Sequence, residues 1–265
     1  MLLKIGAVIV LVAALAAVAG PSLMPFSPSA QNLPMRLDGP TRAHPFGLDE
    51  LGRDVLSRIL AGARISFLVG IVVVGVSAVV GTVLGAMAGY FGGVLDDIIS
   101  RVIDTLLAFP GLLLAIALVG VLGPSLRSVV FALAIIGWVG YARLVRGQVL
   151  RAREFEYVQA ARALGAAAPR VLFRHIVPAT IPVVVVQATL GMAGAVISEA
   201  ALSFLGLGVQ PPTPSWGTML NGGRTHILDA PHLTLFPGLA IALLVLGFNF
   251  LGDGLRDATD PKKKQ

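Results

Sequence analysis

Long apolar runs alternate with short polar segments along this chain, and the lengths of the runs predict the architecture. A helix needs about 20 mainly apolar residues to cross the hydrocarbon core of a membrane. Six runs meet that length, at 2–23, 65–90, 102–122, 126–145, 180–202 and 233–251. Most of them lack the polar stripe that a helix of a soluble protein shows. The pattern therefore predicts an all-α membrane protein with six transmembrane helices.

Small residues and turns inside this pattern predict how the helices meet. Glycines such as Gly75, Gly81, Gly85 and Gly89 recur within the second run. At a spacing of four they lie on one helical face, and small residues allow two helices in lipid to approach closely. The third and fourth runs are separated only by the turn at 123–125, which predicts a tight antiparallel pair.

Composition and charge agree with a membrane protein. Charged residues make up 13% of the 265 residues and apolar residues 56%, whereas a soluble domain carries about 25% charged residues. The chain has no cysteine, which excludes disulfides and thiolate metal sites. The net charge of +6 does not indicate nucleic-acid binding, because the basic residues lie at the ends of apolar runs and not on one soluble face.

The positions of Lys and Arg predict the orientation. Thirteen of them lie on the side of the N-terminus and seven on the other side, and the richer side is normally cytoplasmic. We therefore expect both termini, including a tail over 254–265, to be cytoplasmic. The first run, 1–23, is favoured as an uncleaved anchor over a cleaved signal peptide. The cytoplasmic set is Lys4, Arg101, Arg143, Arg146, Arg151, Arg153, Arg162, Arg170, Arg174, Arg256, Lys262, Lys263 and Lys264.

The first outer segment, 24–64, begins as a Pro-rich linker and ends in an amphipathic stretch. Its apolar positions share one helical stripe: Leu51, Val55, Leu56, Ile59 and Leu60. This stripe predicts an interfacial helix on the outer membrane surface, and a contact with an extracytoplasmic partner is compatible with it. Asp54 and Arg58 are four residues apart and are expected to pair on the other face.

The second outer segment, at about 203–232, is too rich in Gly and Pro to be one regular helix. Irregular backbone near a membrane is tolerated where it is buried in protein or lines a wet cavity. The segment and the end of the preceding span are thus candidates for an outer gate, with a plain surface loop as the alternative. The candidate gate residues are Glu199, Gln210, Pro211, Pro212 and Trp216.

The loop at about 150–178, between the fourth and fifth runs, has signals of local structure. Good helix formers predict a short helix over 154–164, which Gly165 ends. Pro169 opens a second short helix, which leads to Pro178 at the start of the fifth span. Its alanines leave the first helix thin enough to lie in a groove of another protein. The residues alone leave an ordinary basic loop as the alternative.

Four stretches of this chain resemble one family of transport proteins. Gln159-Ala160-Ala161, Gly165 and Ile176-Val177-Pro178 resemble the "EAA" coupling loop of permease subunits in ATP-binding-cassette (ABC) importers. The family usually has Glu where this chain has Gln159, and a neutral side chain weakens an expected ion pair with the ATPase. The stretches 44–58, 199–217 and 248–257 are similar to the dipeptide, oligopeptide and nickel branch, in the order of its C-type subunit.

The resemblance implies the type I importer permease fold over 65–253 and a loop that couples the chain to an ATPase. The implied coupling residues are Glu156, Gln159, Ala160, Ala161, Arg162, Gly165, Arg174, Ile176 and Pro178. The implied partners are a second homologous permease subunit, two ATPase subunits that bind ATP and Mg²⁺, an extracytoplasmic substrate-binding protein and membrane lipid. The implied location is the plasma (inner) membrane of a bacterium or archaeon.

Two other classes of function are disfavoured. The chain has no phosphate-binding G-x-x-x-x-G-K-[ST] motif, so we expect no ATPase site of its own. An intramembrane enzyme is disfavoured because the four histidines fall in loops and no serine lies in a nucleophile-elbow pattern, so we expect no catalytic residue, cofactor or metal. An ion-coupled secondary transporter needs ionisable groups within the membrane. Here Glu199 lies near the outer end of a span, while Asp96, Asp97 and Asp104 are expected in solvated or helix-start positions. The cargo stays open among dipeptides, longer peptides, nickel, glutathione and other small solutes.

Overall fold

A computed structural model describes residues 1–259, and within that range the chain is an assembly of ten α-helices. They are α1 (Leu2–Leu23), α2 (Val55–Phe91), α3 (Gly93–Leu107), α4 (Gly111–Leu122), α5 (Leu126–Ala152), α6 (Glu156–Ala163), α7 (Ala168–Val171), α8 (Val177–Phe204), α9 (Trp216–Gly223) and α10 (His232–Thr259). Five helical segments are long and apolar enough to cross a membrane: α1, α2, α5, α7 with α8, and α10. We call the side of the α5–α8 connection the loop side.

The third predicted span is not one continuous helix, and in this respect the prediction over 102–122 is wrong. The chain breaks between Leu107 and Gly111, and α3 and α4 meet at an angle of 89°. Pro110 explains the break, because proline disfavours a helical conformation in the residue before it and has no N–H to donate. With 12 residues, α4 is about 18 Å long, which is shorter than the hydrocarbon core. The pair amounts to a sixth span only if both halves are counted together.

The predicted interfacial helix before the second span is also wrong. Helix α2 begins at Val55, and Asp54 is its N-cap, with its Oδ2 accepting hydrogen bonds from the N–H of Ser57 at 2.8 Å and from its hydroxyl at 2.7 Å. The apolar positions from Val55 onward are therefore the first turns of the span itself. Because its carboxylate caps the helix and contacts His44 at 2.9 Å, Asp54 does not pair with Arg58.

Helices α2 and α5 pack closely through three glycines of α2. A Cβ at Gly85 would collide with the carbonyl oxygen of Ala142 on α5, and Gly81 and Gly89 face the same helix. The predicted close-approach face is confirmed for these three. Gly75 lies on another face, where a Cβ would meet no atom within 4 Å. Backbone approach of this kind stabilises helix pairs in lipid, where burial of apolar side chains from water contributes little.

The other long helices complete the bundle in the same way. Helix α1 packs on α10, where a Cβ at Gly247 would press on Ile9, and α10 packs on α8, where Gly252 faces Leu190. The turn at Gly123 joins α4 and α5, which pack on each other as predicted. Helix α10 continues through Thr259, so the chain over 254–259 is helical and not a separate tail. The three lysines at 262–264 lie outside the described residues.

The glycine contact predicts a position-specific effect of added volume. We expect Gly85→Val to destabilise the detergent-solubilised protein by about 1–3 kcal/mol, because the new side chain forces two backbones apart. The measurement is the thermal unfolding midpoint. The matched change Gly75→Val, in open space on the same helix, should leave the midpoint unchanged. Equal losses at the two positions would contradict the α2–α5 contact.

Candidate functional site

The connection between α5 and α8 is folded from end to end. The helix predicted over 154–164 is present as α6, and the one opened by Pro169 is present as α7, which continues through a π-helical turn, Leu172–Ile176, into α8. Gly165 ends α6 with a φ of +80°. Its N–H donates to the carbonyl of Arg162 at 2.9 Å, and the N–H of Ala166 donates to that of Ala161 at 3.1 Å. This is the Schellman arrangement that glycine favours.

One face of the loop is buried against the ends of the long helices. Val158 of α6 and Val171 of α7 are fully buried, as are Leu172 and Ile176 of the π turn. They form a single apolar cluster with Ala86 of α2 and with Val145, Val149 and Ala152 of α5. Because close-packed side chains transmit displacement, a movement of α6 must reach α2, α5 and α8. Ile176, a predicted coupling residue, lies within this buried face.

Polar contacts add to the apolar attachment of the loop. The guanidinium of Arg162 lies 4.9 Å from the ring centroid of Tyr90 on α2, a cation–π contact. Arg153 donates to the carboxylate of Glu154 at 3.0 Å and to the carbonyl of Gly89 at 3.4 Å. The side-chain amide of Gln159 donates to the backbone carbonyl of Glu154 at 3.1 Å. The amide N–H of Gln159 is thus used within the loop.

The opposite face of the loop is exposed and partly apolar. Leu164 is 89% exposed, and the aromatic rings of Phe155 and Tyr157 are exposed beside it. The predicted residues exposed with them are Glu156, Gln159, Ala160, Arg162, Gly165, Arg174 and Pro178, while Ala161 is half-buried. Sequence reasoning missed Phe155, Tyr157 and Leu164. For Tyr157 and Leu164 the available signal was their position out of phase with Val158, because an apolar residue away from the buried stripe of an aqueous loop marks a contact surface. Phe155, three residues before Val158, gave no such signal.

Ion pairs hold α3 beside α5 on the loop side. Arg146 forms a two-point ion pair with Asp96, at 2.5 and 2.6 Å. Asp104 pairs with Arg143 at 3.0 Å, and both of these side chains are exposed. Asp96 lies in the first turn of α3, as the helix-start prediction expected, and has Arg146 as a partner in addition, while Asp97 is exposed.

On the other side of the membrane, two of the predicted gate residues lie inside the protein. Glu199 of α8 is fully buried. One of its carboxylate oxygens accepts a hydrogen bond from Ser203 at 2.7 Å, and the other has no hydrogen-bond partner among the described residues. Trp216, at the start of α9, is buried too, and its indole N–H donates to the carbonyl of Ile59 on α2 at 3.0 Å. Trp216 thus attaches the irregular segment to the bundle.

The other three predicted gate residues are exposed. Pro211 and Pro212 line a cavity of about 110 Å³. Gln210 does not line it, and its amide donates to the carbonyls of Gly206 and Gly208 at 3.2 and 3.0 Å. The structure therefore does not gather the five residues into one site.

The cavity beside these prolines contains a buried ion cluster that the sequence did not predict. Asp49 accepts from Arg53 at 2.7 Å and lies 3.3 Å from Arg58, and all three side chains are buried. Arg53 also contacts Glu50 at 3.1 Å. Burial of charges is tolerated where they are paired, so this cluster holds the first outer segment against α2.

Comparison with known proteins identifies the family to which this helical membrane protein is similar. The model of the family described as "Binding-protein-dependent transport system inner membrane component" matches residues 81–265. The chain is 48% identical over 260 residues to the dipeptide transport system permease protein DppC of Alkalihalophilus pseudofirmus, covering 98% of this chain and 86% of that protein. It is 52% identical over 227 residues to the glutathione transport system permease protein GsiD of Escherichia coli, covering 86% and 75%.

The fold is also similar to a solved structure. A chain of the inward-facing MetNI methionine ABC transporter superposes with a TM-score of 0.58 at 17% sequence identity, covering 78% of this chain and 96% of that one. The type I importer permease fold is thereby confirmed. The match of the family model over most of the chain, together with the two relatives, decides the assignment. This chain belongs to the binding-protein-dependent transport system inner membrane components, the permease subunits of ABC importers.

Proposed function

We propose that the chain forms one half of a pathway that imports short peptides. The relatives named above are permeases for dipeptides and for glutathione, which is itself a short peptide. The other half of the pathway is a second, non-identical permease subunit. Two ATPase subunits hydrolyse ATP on the cytoplasmic side, and a binding protein delivers the cargo outside. The charge distribution supports a cytoplasmic loop side and cytoplasmic termini.

The observation that carries this proposal is the two-sided structure of the loop. Its buried face is packed against α2 and α5, and its exposed face presents Phe155, Tyr157 and Leu164. In our proposal, the exposed face lies in a groove of an ATPase subunit. ATP binding brings the two ATPase subunits together and carries α6 with them. The packed helices then open the pathway outward, and hydrolysis reverses the movement, a two-state change biased by a ligand bound elsewhere.

In our proposal, Gln159 in place of the usual Glu changes the chemistry of the contact between the loop and the ATPase subunit but not its geometry. The family usually places a carboxylate here, whereas this chain has an amide whose N–H is bonded to Glu154 within the loop. Docking therefore depends on apolar burial and shape more than on an ion pair at this position. An exposed leucine that becomes buried contributes about 1.5–3 kcal/mol, which exceeds the contribution of a typical surface ion pair.

The backbone of Gly165 gives a first test. We expect Gly165→Val to abolish ATP-dependent uptake of a labelled dipeptide in reconstituted vesicles, because a β-branched residue in the left-handed region costs at least about 1–2 kcal/mol and reorients the loop. The expected loss of uptake is not due to a steric clash of the new side chain, since a Cβ at Gly165 meets no atom within 4 Å. The matched change Gly165→Asn should retain coupling, because Asn adopts this conformation readily.

Uptake and ATPase activity are measured together in this test. Uncoupling appears as ATP hydrolysis that no longer rises when the loaded binding protein is added. Normal uptake by Gly165→Val would refute the assignment of this loop. Competition by unlabelled glutathione and by Ni²⁺ in the same assay decides between peptide cargo and the nickel alternative.

The exposed face of the loop gives a second test. We expect Leu164→Ser to weaken retention of the ATPase subunits about tenfold or more, as judged by their recovery with the affinity-purified chain over a salt series. The matched control is Leu228→Ser, which changes a leucine that is 92% exposed on the other side of the membrane. The control should retain the ATPase subunits fully. Equal recovery from the two variants would show that this face is not the docking surface.

A further inference from the structure

A cavity of about 270 Å³ lies between α2, α4, α5 and α8. Its wall contains four polar side chains, Ser77, Tyr141, Gln187 and Ser198, among apolar and glycine positions, and none of its lining residues is charged. Gln187 lies ten residues from the loop-side end of α8 and Tyr141 eleven from that of α5, which places both about 15 Å along their helices from the loop side.

Glycines make room for the polar side chains of the wall, and they also leave part of the cavity empty. A Cβ at Gly137 would collide with the hydroxyl of Ser77, and one at Gly191 would lie 2.5 Å from the hydroxyl of Tyr141. These two glycines therefore let the hydroxyl groups fit between the helices. Gly140 and Gly194 also line the cavity, and a Cβ at either would meet no atom within 4 Å. Their missing side chains leave part of the cavity open.

The polar groups of this wall are poorly satisfied by the protein. Ser77 and Tyr141 make only long contacts, each 3.5 Å, with the carbonyls of Ala134 and Gln187. The side chains of Gln187 and Ser198 make no hydrogen bond to any described residue. A polar group facing hydrocarbon without a partner costs free energy, so four of them around one cavity indicate contact with water or with a polar molecule.

We propose that this cavity is the subunit's contact with the peptide in transit, an inference that rests on the peptide importer proposed above. An amide side chain and three hydroxyls offer both donors and acceptors to a peptide backbone. With about 270 Å³, the cavity is just below the size range of sites that enclose a whole small molecule, about 300–1,000 Å³. Uncharged walls bind a peptide weakly, and transport requires binding weak enough for the cargo to leave. A lipid chain would gain nothing from these polar groups.

The absence of cysteine from the chain allows single thiols to be placed at the empty glycine positions. Gly140→Cys and Gly194→Cys put a thiol in the cavity. Gly75→Cys and Gly120→Cys are matched controls, because both are exposed helical glycines with no atom within 4 Å of a Cβ and neither lines the cavity. Each variant is assembled with its partner subunits in membrane vesicles and treated with a cationic, membrane-impermeant methanethiosulfonate. The unmodified chain in the same complex gives the background from partner thiols.

We expect the two cavity thiols to react about tenfold or more faster than the controls, because only a hydrated thiol forms the reactive thiolate readily. Modification should abolish uptake of a labelled dipeptide while the ATPase subunits stay bound. Dipeptide supplied with its binding protein should slow the labelling of Gly194→Cys but not of the controls.

The alternatives give different results, and each overturns the proposal. Equal, slow labelling at all four positions would identify a lipid-filled groove. Labelling of the cavity thiols only when the partner permease is missing would identify a surface buried by that subunit. If the native complex takes up neither dipeptide nor glutathione, the peptide cargo is wrong, together with the peptide contact inferred here. The labelling pattern would still decide whether the cavity is hydrated.

Discussion

The close contact between α2 and α5 is the constraint on which the other features of this protein depend. In lipid, apolar side chains gain little by leaving their surroundings, so helices associate through close packing of small residues. Gly81, Gly85 and Gly89 supply this contact over three successive turns. It fixes the position of Ser77 against α5 toward the middle of the membrane, and it brings the end of α2 to Arg153 at the start of the loop.

The loop between α5 and α8 packs on the α2–α5 pair and is therefore a rigid extension of the membrane helices. Its buried side chains complete an apolar cluster begun by α2 and α5, while the left-handed Gly165 fixes the direction in which the chain leaves α6. A push on the exposed face is therefore not absorbed by a flexible connector. The same packing that anchors α6 is what would carry movement to the cavity between α2, α5 and α8.

Polar groups within the bundle follow two different rules. On the side opposite the loop, charges are buried in pairs, as in the cluster of Asp49, Arg53 and Arg58, and the Gly- and Pro-rich segment is attached through Trp216. Around the cavity between α2, α4, α5 and α8, the polar side chains are uncharged and incompletely hydrogen-bonded. The first arrangement stabilises a fixed structure. The second leaves hydrogen-bonding capacity that the protein itself does not use.

The sequence by itself determined the long spans and the end of α6, because apolar length and a glycine stop are local properties of the chain. The motifs at 44–58, 159–178, 199–217 and 248–257 also indicated the family. Only the tertiary structure decided that α2 begins at Val55, that α3 and α4 meet at 89°, that Glu199 is buried and that Leu164 is exposed. The physical reason is that a helix in lipid is apolar on every face, so its sequence pattern does not show which face meets protein, lipid or cavity.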